Sequence, residues 1–186
     1  MKLSKKQLRA ELLRQRSALN RDEFEFYSKQ VCNAVIESEE FNQAEVIHCY
    51  VPIISRNELN TFHILEESLS RGKKLVVPRI KSGTTDLDHV WLKSLDVLKP
   101  NKWGVPEPES GGMVDLSELQ LILVPVVGCD VHRNRIGYGK GFYDRFLAEV
   151  TCPAFGLTFE QSVCPEIPIE QHDIKLDRIF TEKRII

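Results

Sequence analysis

Hydrophobic residues recur at helical spacing near the amino terminus of the chain. A capping box at Ser4 and Gln7 precedes one apolar stripe, and a second capping box at Asn20 and Glu23 precedes another. The stripes consist of Leu8, Leu12 and Leu13 in the first segment and of Tyr27, Val31, Ala34 and Val35 in the second. Positions three and four residues apart share one face of a helix, so the pattern predicts two consecutive amphipathic helices.

Short apolar runs rich in β-branched and aromatic residues follow, and they predict strands. In chain order they read EVIHCYVP, KLVVPRI, HVWLKSL, LQLILVPVVG, AFGLTF and RIFTEKRII. The fourth is the most continuously apolar, which is typical of a central strand buried on both faces. Two more helices are predicted between the runs, from Thr61 to Ser70, ended by Gly72, and from Lys140 to Val150. This alternation predicts a single three-layer α/β/α domain over residues 1–186, with a mostly parallel central sheet.

One irregular stretch interrupts this alternation. KPNKWGVPEPESGG contains three prolines and predicts a long loop. Trp103 lies in its middle and argues against plain disorder. Its indole could stack on a flat heterocycle or pin the loop to the core, and the sequence leaves both possibilities open.

Composition narrows the class of protein. The 186 residues carry a formal net charge of −2, which implies no general attraction to nucleic acid or to a membrane. No apolar run approaches the length of about 20 residues that a membrane helix needs. The five cysteines form no CxxC pair and are odd in number, as expected for reduced thiols. We therefore expect a cytoplasmic monomer that binds small molecules, with neither nucleic acid nor membrane as a partner.

Residues 135–146, RIGYGKGFYDRF, form what we call the glycine segment, because glycine occupies every second position from Gly137 to Gly141. Glycines let successive backbone N–H groups turn toward an anion. Lys140 and Arg135 add full positive charges to the same segment. The combination favours an anion-binding site over a turn that only joins a strand to a helix.

Known phosphate-binding templates do not fit this segment. A P-loop needs serine or threonine after its lysine, whereas Lys140 is followed by Gly141. A dinucleotide fingerprint needs glycine where this chain has Phe142. Asp144 follows closely and could hold Mg²⁺ between phosphate oxygens. The residues thus favour an anion without naming it.

Candidates outside the glycine segment are weaker when taken alone. Lys5, Lys6 and Arg9 lie on the first predicted helix, where a solvated basic face is the default interpretation. Glu58 follows a predicted strand and could meet a polar ligand, although surface glutamates are common. Asp173 could bind a metal or cap a turn. The five histidines show no ligand spacing.

The stretch LILVPVVGCDVHRNRIGYGKGFYDRFL resembles the signature of the 5-formyltetrahydrofolate cyclo-ligase family. Ile136 and Phe142 are mild departures from that signature. The other motifs KKQLR, YVPIISRNELNT, VVPRI, WGVPEP and HDIKLDRIFTE resemble further family motifs in the same order. The matching signature positions are Pro125, Gly128, Asp130, Arg135, Gly137, Gly139, Gly141, Tyr143, Asp144 and Arg145.

The resemblance implies an enzyme that uses ATP and Mg²⁺ to convert 5-formyltetrahydrofolate to 5,10-methenyltetrahydrofolate, with release of ADP and phosphate. By the same resemblance, Asp144 and Asp173 would bind the metal, and Lys140, Arg135 and Tyr143 would be catalytic. The folate would be bordered by Val51, Glu58, Trp103 and Tyr143. The residues around ATP would be Lys5, Lys6, Arg9, Arg135, Ile136, Gly137, Tyr138, Gly139, Lys140, Gly141, Phe142 and Tyr143.

Two other functions stay open at this point. One is a sugar-phosphate isomerase or CoA-transferase relative, against which the lack of a clear catalytic base or glutamate nucleophile near the glycine segment argues weakly. The other is a non-enzymatic module that binds a nucleotide or a folate, since a binding protein could retain the same loop.

Overall fold

The computed structural model describes residues 3–81, 83–101 and 104–186, and five α-helices lie within these ranges. Capping boxes at Ser4 and Asn20 open the first two helices, which confirms both predicted starts. No helix of the described ranges is both long and apolar enough to cross a membrane. The helices are α1 (Lys5–Ser17), α2 (Arg21–Ile36), α3 (Glu39–Gln43), α4 (Phe62–Ser70) and α5 (Phe142–Ala148).

Eleven strands lie in the same part of the chain, and six of them form the central sheet. The strands are β1 (Val46–Cys49), β2 (Lys74–Ile80), β3 (Leu87–Leu92), β4 (Leu98–Pro100), β5 (Pro106–Pro108), β6 (Leu121–Pro125), β7 (Gly128–Asp130), β8 (Arg135–Ile136), β9 (Ala154–Leu157), β10 (Val163–Cys164) and β11 (Arg178–Phe180). The central sheet has the order β11-β9-β6-β1-β2-β3, and all neighbours are parallel except β2 and β3. The predicted α/β class with a mostly parallel sheet is confirmed.

Both faces of the central sheet are covered. Along β6, Leu121 and Leu123 pack into a core shared with α2 and α4, whereas Ile122 and Val124 pack into a second core shared with α5. Side chains alternate between the faces of a strand, so a strand buried on both sides is apolar throughout. The prediction of a central buried strand is confirmed for β6.

A second sheet follows directly from the same apolar run. The run was expected to be one strand, but β6 ends at Pro125 and the chain continues into β7 of a small sheet with the order β10-β7-β8. Helix α1 covers this sheet through Leu12, and a Cβ atom at Gly128 would lie only 2.4 Å from Leu12 Cδ1. Glycine at this position therefore permits the close approach of α1 to β7.

The structure corrects three boundaries. The stretch expected to be a long loop contains the antiparallel pair β4 and β5, since proline is tolerated in short edge strands. Helix α5 begins after Gly141, whose φ of +68° is left-handed, and so excludes Lys140. The last predicted strand ends at Phe180, after which Ile185 pairs back with it. Trp103 lies outside the described residues.

Candidate functional site

A cavity of about 810 Å³ lies beyond the carboxyl ends of β1 and β6, the position at which open α/β sheets bind ligands. Helix α1, the segment after β1 and the glycine segment all contribute to its lining. The predicted site residues that line it are Lys5, Lys6, Arg9, Val51, Glu58, Arg135, Gly137, Tyr138, Gly139, Lys140, Gly141, Phe142, Tyr143, Asp144 and Asp173. The fold thus brings together candidates that are far apart in the chain.

Ile136 is the exception among the predicted residues that the structure describes. Its side chain is fully buried against Leu12 in the small-sheet core and does not line the cavity. The backbone carbonyl of Ile136 accepts a hydrogen bond from the Val127 N–H at 2.9 Å. Ile136 therefore anchors the glycine segment to the small sheet.

The glycine segment is wrapped against Arg9 of α1. Arg9 Nε donates a hydrogen bond to the Gly137 carbonyl at 2.7 Å. Gly139 has a φ of +87°, and a Cβ atom there would lie 2.9 Å from Arg9 Cζ. Glycine is required at this position both by backbone conformation and by the nearby guanidinium group.

Two cations of the cavity differ in their surroundings. Lys140 is exposed, and its ammonium group makes no ion pair within the described ranges. Arg135 is buried, and its guanidinium group donates to Asp144 Oδ1 at 2.6 Å and to the Ile174 carbonyl. Burial lowers the pKa of Arg135, and the charge of Asp144 opposes that effect. Lys140 is thus available to an anion, whereas Arg135 is held in place.

Lys5 is paired with Asp173. Its ammonium nitrogen lies 2.6 Å from both carboxylate oxygens of Asp173 and 3.5 Å from Glu170 Oε2. Burial opposes ionisation of Asp173, yet hydrogen bonds from Lys5 and from the Glu170 N–H lower its pKa. The potential ligand atoms of Glu170, His172 and Asp173 all lie within 4.8 Å of one another. Asp144 does not belong to this group.

The first turn after β1 carries the other part of the lining, Tyr50, Val51, Ile53 and Glu58, which we call the Glu58 wall. Glu58 is buried, and its Oε2 accepts a hydrogen bond from the Ile53 N–H at 2.8 Å. Burial raises the pKa of Glu58, and the Ile53 N–H and the nearby Tyr138 hydroxyl oppose that rise. The wall therefore offers a carboxylate in an apolar setting.

Tyr143 brings an unpaired polar atom to the cavity. Its hydroxyl oxygen is buried and has no hydrogen-bond partner among the described residues. Its ring packs edge-on against His48 and Phe146, with centroids 6.2 and 6.0 Å away. Burial raises the pKa of Tyr143 well above its ordinary value, so the hydroxyl stays protonated and can donate.

Sequence reasoning missed several residues of the site. Glu107 lines the cavity and accepts a hydrogen bond from the Ile80 N–H at 2.8 Å. Its place in the WGVPEP motif was an available signal. Glu170 and His172 were missed because their spacing matches no ligand pattern, and only proximity to Asp173 pointed to them.

The fold and the cavity define an α/β protein with a cavity at the carboxyl ends of its central strands, where open α/β sheets bind their ligands. The family model described as the 5-formyltetrahydrofolate cyclo-ligase family matches residues 1–182, so the chain belongs to that family. This confirms the resemblance carried by the glycine segment. The protein is accordingly an enzyme of the cyclo-ligase class.

Relatives match nearly the whole chain. The 5-formyltetrahydrofolate cyclo-ligase of Mus musculus is 29% identical, with 96% of this chain and 94% of the relative covered. A probable 5-formyltetrahydrofolate cyclo-ligase of Schizosaccharomyces pombe is also 29% identical and covers 100% of this chain and 98% of its own. The NMR structure of 5,10-methenyltetrahydrofolate synthetase from Aquifex aeolicus has a TM-score of 0.85 at 29% identity, covering 97% and 91% of the two chains.

Proposed function

We propose that this enzyme converts 5-formyltetrahydrofolate to 5,10-methenyltetrahydrofolate, coupled to the conversion of ATP to ADP and phosphate. Family membership and the names of the relatives support the reaction. The observation that carries the proposal is that one cavity holds both a basic lining and the Glu58 wall. A phosphate donor and a polar heterocycle can therefore meet in a single site. We call the lining cations of α1 and the glycine segment the basic lining, namely Lys5, Lys6, Arg9, Arg135 and Lys140.

The basic lining is suited to the triphosphate of ATP. Phosphoryl transfer asks a protein mainly for positioning and for neutralisation of charge, and it needs no covalent nucleophile. The open backbone around Gly137, with nothing within 4 Å of a Cβ position there, leaves room for phosphate oxygens. The ammonium group of Lys140, which makes no ion pair with any residue that the structure describes, can follow the transferred phosphoryl group.

The Glu58 wall is suited to the pterin ring of the folate. The donor groups of a pterin edge can hydrogen-bond to the Glu58 carboxylate, which is an acceptor when ionised. Val51 supplies an apolar surface beside it. Tyr143 can donate to the same ligand its hydroxyl, which has no partner in the part of the chain that the structure describes. Trp103 stays a predicted stacking partner of the ring.

Mg²⁺ fits the residues by the chemistry of its ligands. Asp144 and Asp173 present carboxylate oxygens to the cavity, and such oxygens are the ligands that Mg²⁺ prefers. We propose that these two residues hold the ion. When bound, Mg²⁺ would neutralise phosphate charge. Each carboxylate is already paired with a cation, Asp144 with Arg135 and Asp173 with Lys5. Mg²⁺ would therefore share these carboxylates with the two cations or replace them.

The reaction has two bond-forming steps. The formyl oxygen attacks the γ-phosphorus of ATP, and the bond to ADP breaks, which turns a poor leaving group into a phosphate ester. N10 then attacks the activated carbon, its proton is lost, and phosphate departs with its oxygen. Lys140 and Arg135 stabilise the charge on the transferred group, while Glu58 and Tyr143 hold the folate in place.

One assay tests this proposal against the two alternatives. Release of ADP and the rise of the methenyl product's absorbance should both require 5-formyltetrahydrofolate together with ATP. A sugar-phosphate isomerase or CoA-transferase relative would show neither signal, and a binding module would bind the ligands without turnover. Either result would contradict the proposal. The monomeric state and cytoplasmic location stay predictions.

A further inference from the structure

Arg16 is a buried cation that the proposed reaction does not use. It lies in α1, is only 2% exposed, and is absent from the described lining of the cavity. Its Nη2 donates a hydrogen bond to the Tyr138 hydroxyl at 2.7 Å. Its guanidinium carbon lies 5.5 Å from the centroid of the same ring. A buried arginine is costly without compensation, so these contacts call for an explanation.

Tyr138 lies between two glycines of the glycine segment and lines the same cavity as Glu58. Burial raises the pKa of Tyr138 and the negative charge of Glu58 adds to that rise, so the two side chains lie near each other. The Tyr138 hydroxyl accepts the hydrogen bond from Arg16. The side chain of Arg16 therefore links α1 to the part of the glycine segment that lies beside the Glu58 wall.

A second contact ties the Glu58 wall to the same end of α1. Asn57 Nδ2 donates to the carbonyls of Arg16 and Leu19 at 3.2 and 3.3 Å. Asn57 precedes Glu58 and has a left-handed φ of 49°, a conformation that asparagine tolerates well. Arg16 is therefore bound to the glycine segment through its side chain and, by way of Asn57, to the loop of Glu58 through its backbone.

We propose that Arg16 is a positioning residue which couples occupation of the basic lining to recognition by Glu58. Its side chain holds Tyr138 of the glycine segment, and its carbonyl holds Asn57, which precedes Glu58. This inference rests on the proposed function. A triphosphate that orders the glycine segment also fixes Tyr138 and, through Arg16 and Asn57, the loop that carries Glu58. Binding of ATP then strengthens binding of the reduced folate, and by thermodynamic reciprocity the folate strengthens binding of ATP to the same extent.

The charges around Glu58 make the pH dependence of folate binding a test of the proposal, because a residue with only a structural role would not change it. The groups that face it are Arg16 from α1, Arg56 from its own loop, Tyr50 after β1, Tyr138 from the glycine segment and Tyr143 from α5. Burial raises the pKa of Glu58, and Arg16 and Tyr138 oppose that rise. Loss of either should raise the pKa further, so folate binding should be lost at a higher pH than in the wild type.

The first test measures binding rather than turnover. The affinity for 5-formyltetrahydrofolate is measured with and without a non-hydrolysable ATP analogue and Mg²⁺, in the wild type and in Tyr138→Phe. The wild type should bind the folate at least about fivefold more tightly with the analogue. In Tyr138→Phe, which keeps the ring, this ratio should fall toward one. Tyr27→Phe, a half-buried tyrosine of α2, is the control.

The second test separates the charge of Arg16 from its packing. Arg16→Met should abolish the coupling and raise the pH at which folate binding is lost on acidification. Arg16→Lys should keep part of the coupling and shift that pH less. Arg14→Met removes an exposed arginine of the same helix and should change neither. If Arg16→Met does not fold, Tyr138→Phe alone decides.

The outcomes distinguish this inference from the function on which it rests. A wild type that binds neither ligand would overturn the proposed function and the inference with it. A wild type with strong coupling that Tyr138→Phe retains, with an unchanged pH limit, would overturn the inference alone. A wild type that binds both ligands independently would also overturn only the inference.

Discussion

Arg135 Nη2 lies 2.6 Å from Asp144 Oδ1, so a predicted phosphate ligand and a predicted metal ligand form one ion pair. The arginine is the more deeply buried partner, with 4% of its side chain exposed against 23% for the aspartate. A cation that approaches Asp144 must therefore compete with Arg135. The ion pair keeps both groups oriented toward the cavity.

Asp144→Asn should remove most activity and raise the Mg²⁺ concentration needed for half-maximal turnover. Loss of one electrostatic contact to the transition state typically costs about 10²–10³ in kcat. The variant should also melt earlier, because the buried charge of Arg135 loses its partner. Steady-state kinetics in a Mg²⁺ series and thermal unfolding measure the two effects.

Asp88→Asn is the matched control for this variant. Asp88 is 22% exposed and pairs with Arg79 at 3.1 Å, outside the cavity lining. It should change the melting temperature without changing the Mg²⁺ dependence. Near wild-type turnover of Asp144→Asn at limiting Mg²⁺ would refute the metal assignment.

Lys140→Met should lower kcat by at least about tenfold, with only a modest rise in the KM for ATP. The ammonium group is exposed and unpaired within the described ranges, so its removal should change the free energy of unfolding by no more than about 0.5 kcal/mol. Lys29→Met, on the exposed surface of α2, is the control. Normal turnover of Lys140→Met would contradict the role of Lys140 as a phosphate ligand and would favour a glycine segment that only joins a strand to a helix.

Glu58→Gln should raise the KM for the folate about 10-fold or more and leave the KM for ATP near normal. The expected loss corresponds to a hydrogen bond with a charged group, about 1.5–3 kcal/mol. Glu182→Gln tests the alternative of a structural effect, since Glu182 also accepts a backbone N–H, from Glu160 at 2.8 Å. Unchanged folate kinetics in Glu58→Gln would show that Glu58 does not recognise the ligand.

The free energy of unfolding should fall as the pH drops below about 6.5, because two buried histidines must take up protons on unfolding. Burial lowers the pKa of His89 from 6.5 to about 4, which corresponds to about 3 kcal/mol. His48, 3.2 Å away, has its pKa lowered by burial and by His89. This stabilisation is therefore fully present above the histidine pKa of the unfolded chain, and it is lost progressively as the pH falls toward the pKa of the folded protein.

His89→Gln should make this pH dependence shallower, whatever it does to stability at neutral pH. His63→Gln, at an exposed position of α4, should leave the dependence unchanged. Urea unfolding followed from neutral pH to about pH 4.5 measures the slope. Equal slopes for wild type and His89→Gln would contradict the assignment.

Gly139→Ala should raise the KM for ATP beyond what its loss of stability explains. Its Cβ would lie 2.9 Å from Arg9 Cζ and would push the guanidinium group off the Gly137 carbonyl. Gly72→Ala has a similar φ of +72° with nothing within 4 Å, so it reports backbone strain alone. Comparable ATP kinetics in the two variants would argue against a role for Arg9.

Local signals predicted the starts of α1 and α2, because a capping box is complete within four residues, as at Ser4 and Asn20. The short helix α3 was not predicted. The start of α5 was misplaced because the left-handed conformation of Gly141 is not evident from spacing alone. The β4–β5 pair was missed because proline argues against a strand until its partner is known. The fold class could be predicted from the order of the helices and strands alone.

Site residues that stand out by their type were predicted from the sequence, whereas residues whose role depends on burial in the folded chain were missed. The glycine segment and Lys140 were conspicuous in the sequence, and the structure places them at the cavity. Arg16 shares a basic helix with Arg9 and the exposed Arg14, and nothing in its spacing separates it from them. Its burial arises from tertiary packing against Tyr138, which no short window contains.

The bond between Lys5 and Asp173 joins positions 168 residues apart in the chain. During synthesis, α1 leaves the ribosome well before the segment around Asp173, so Lys5 must wait for its partner while the 168 residues that follow it are made. Closing so long a loop adds an entropic cost that grows only slowly with length. The cavity is thus completed only after the segment around Asp173 has been made, and a chain cleaved ahead of that segment lacks one wall of the cavity.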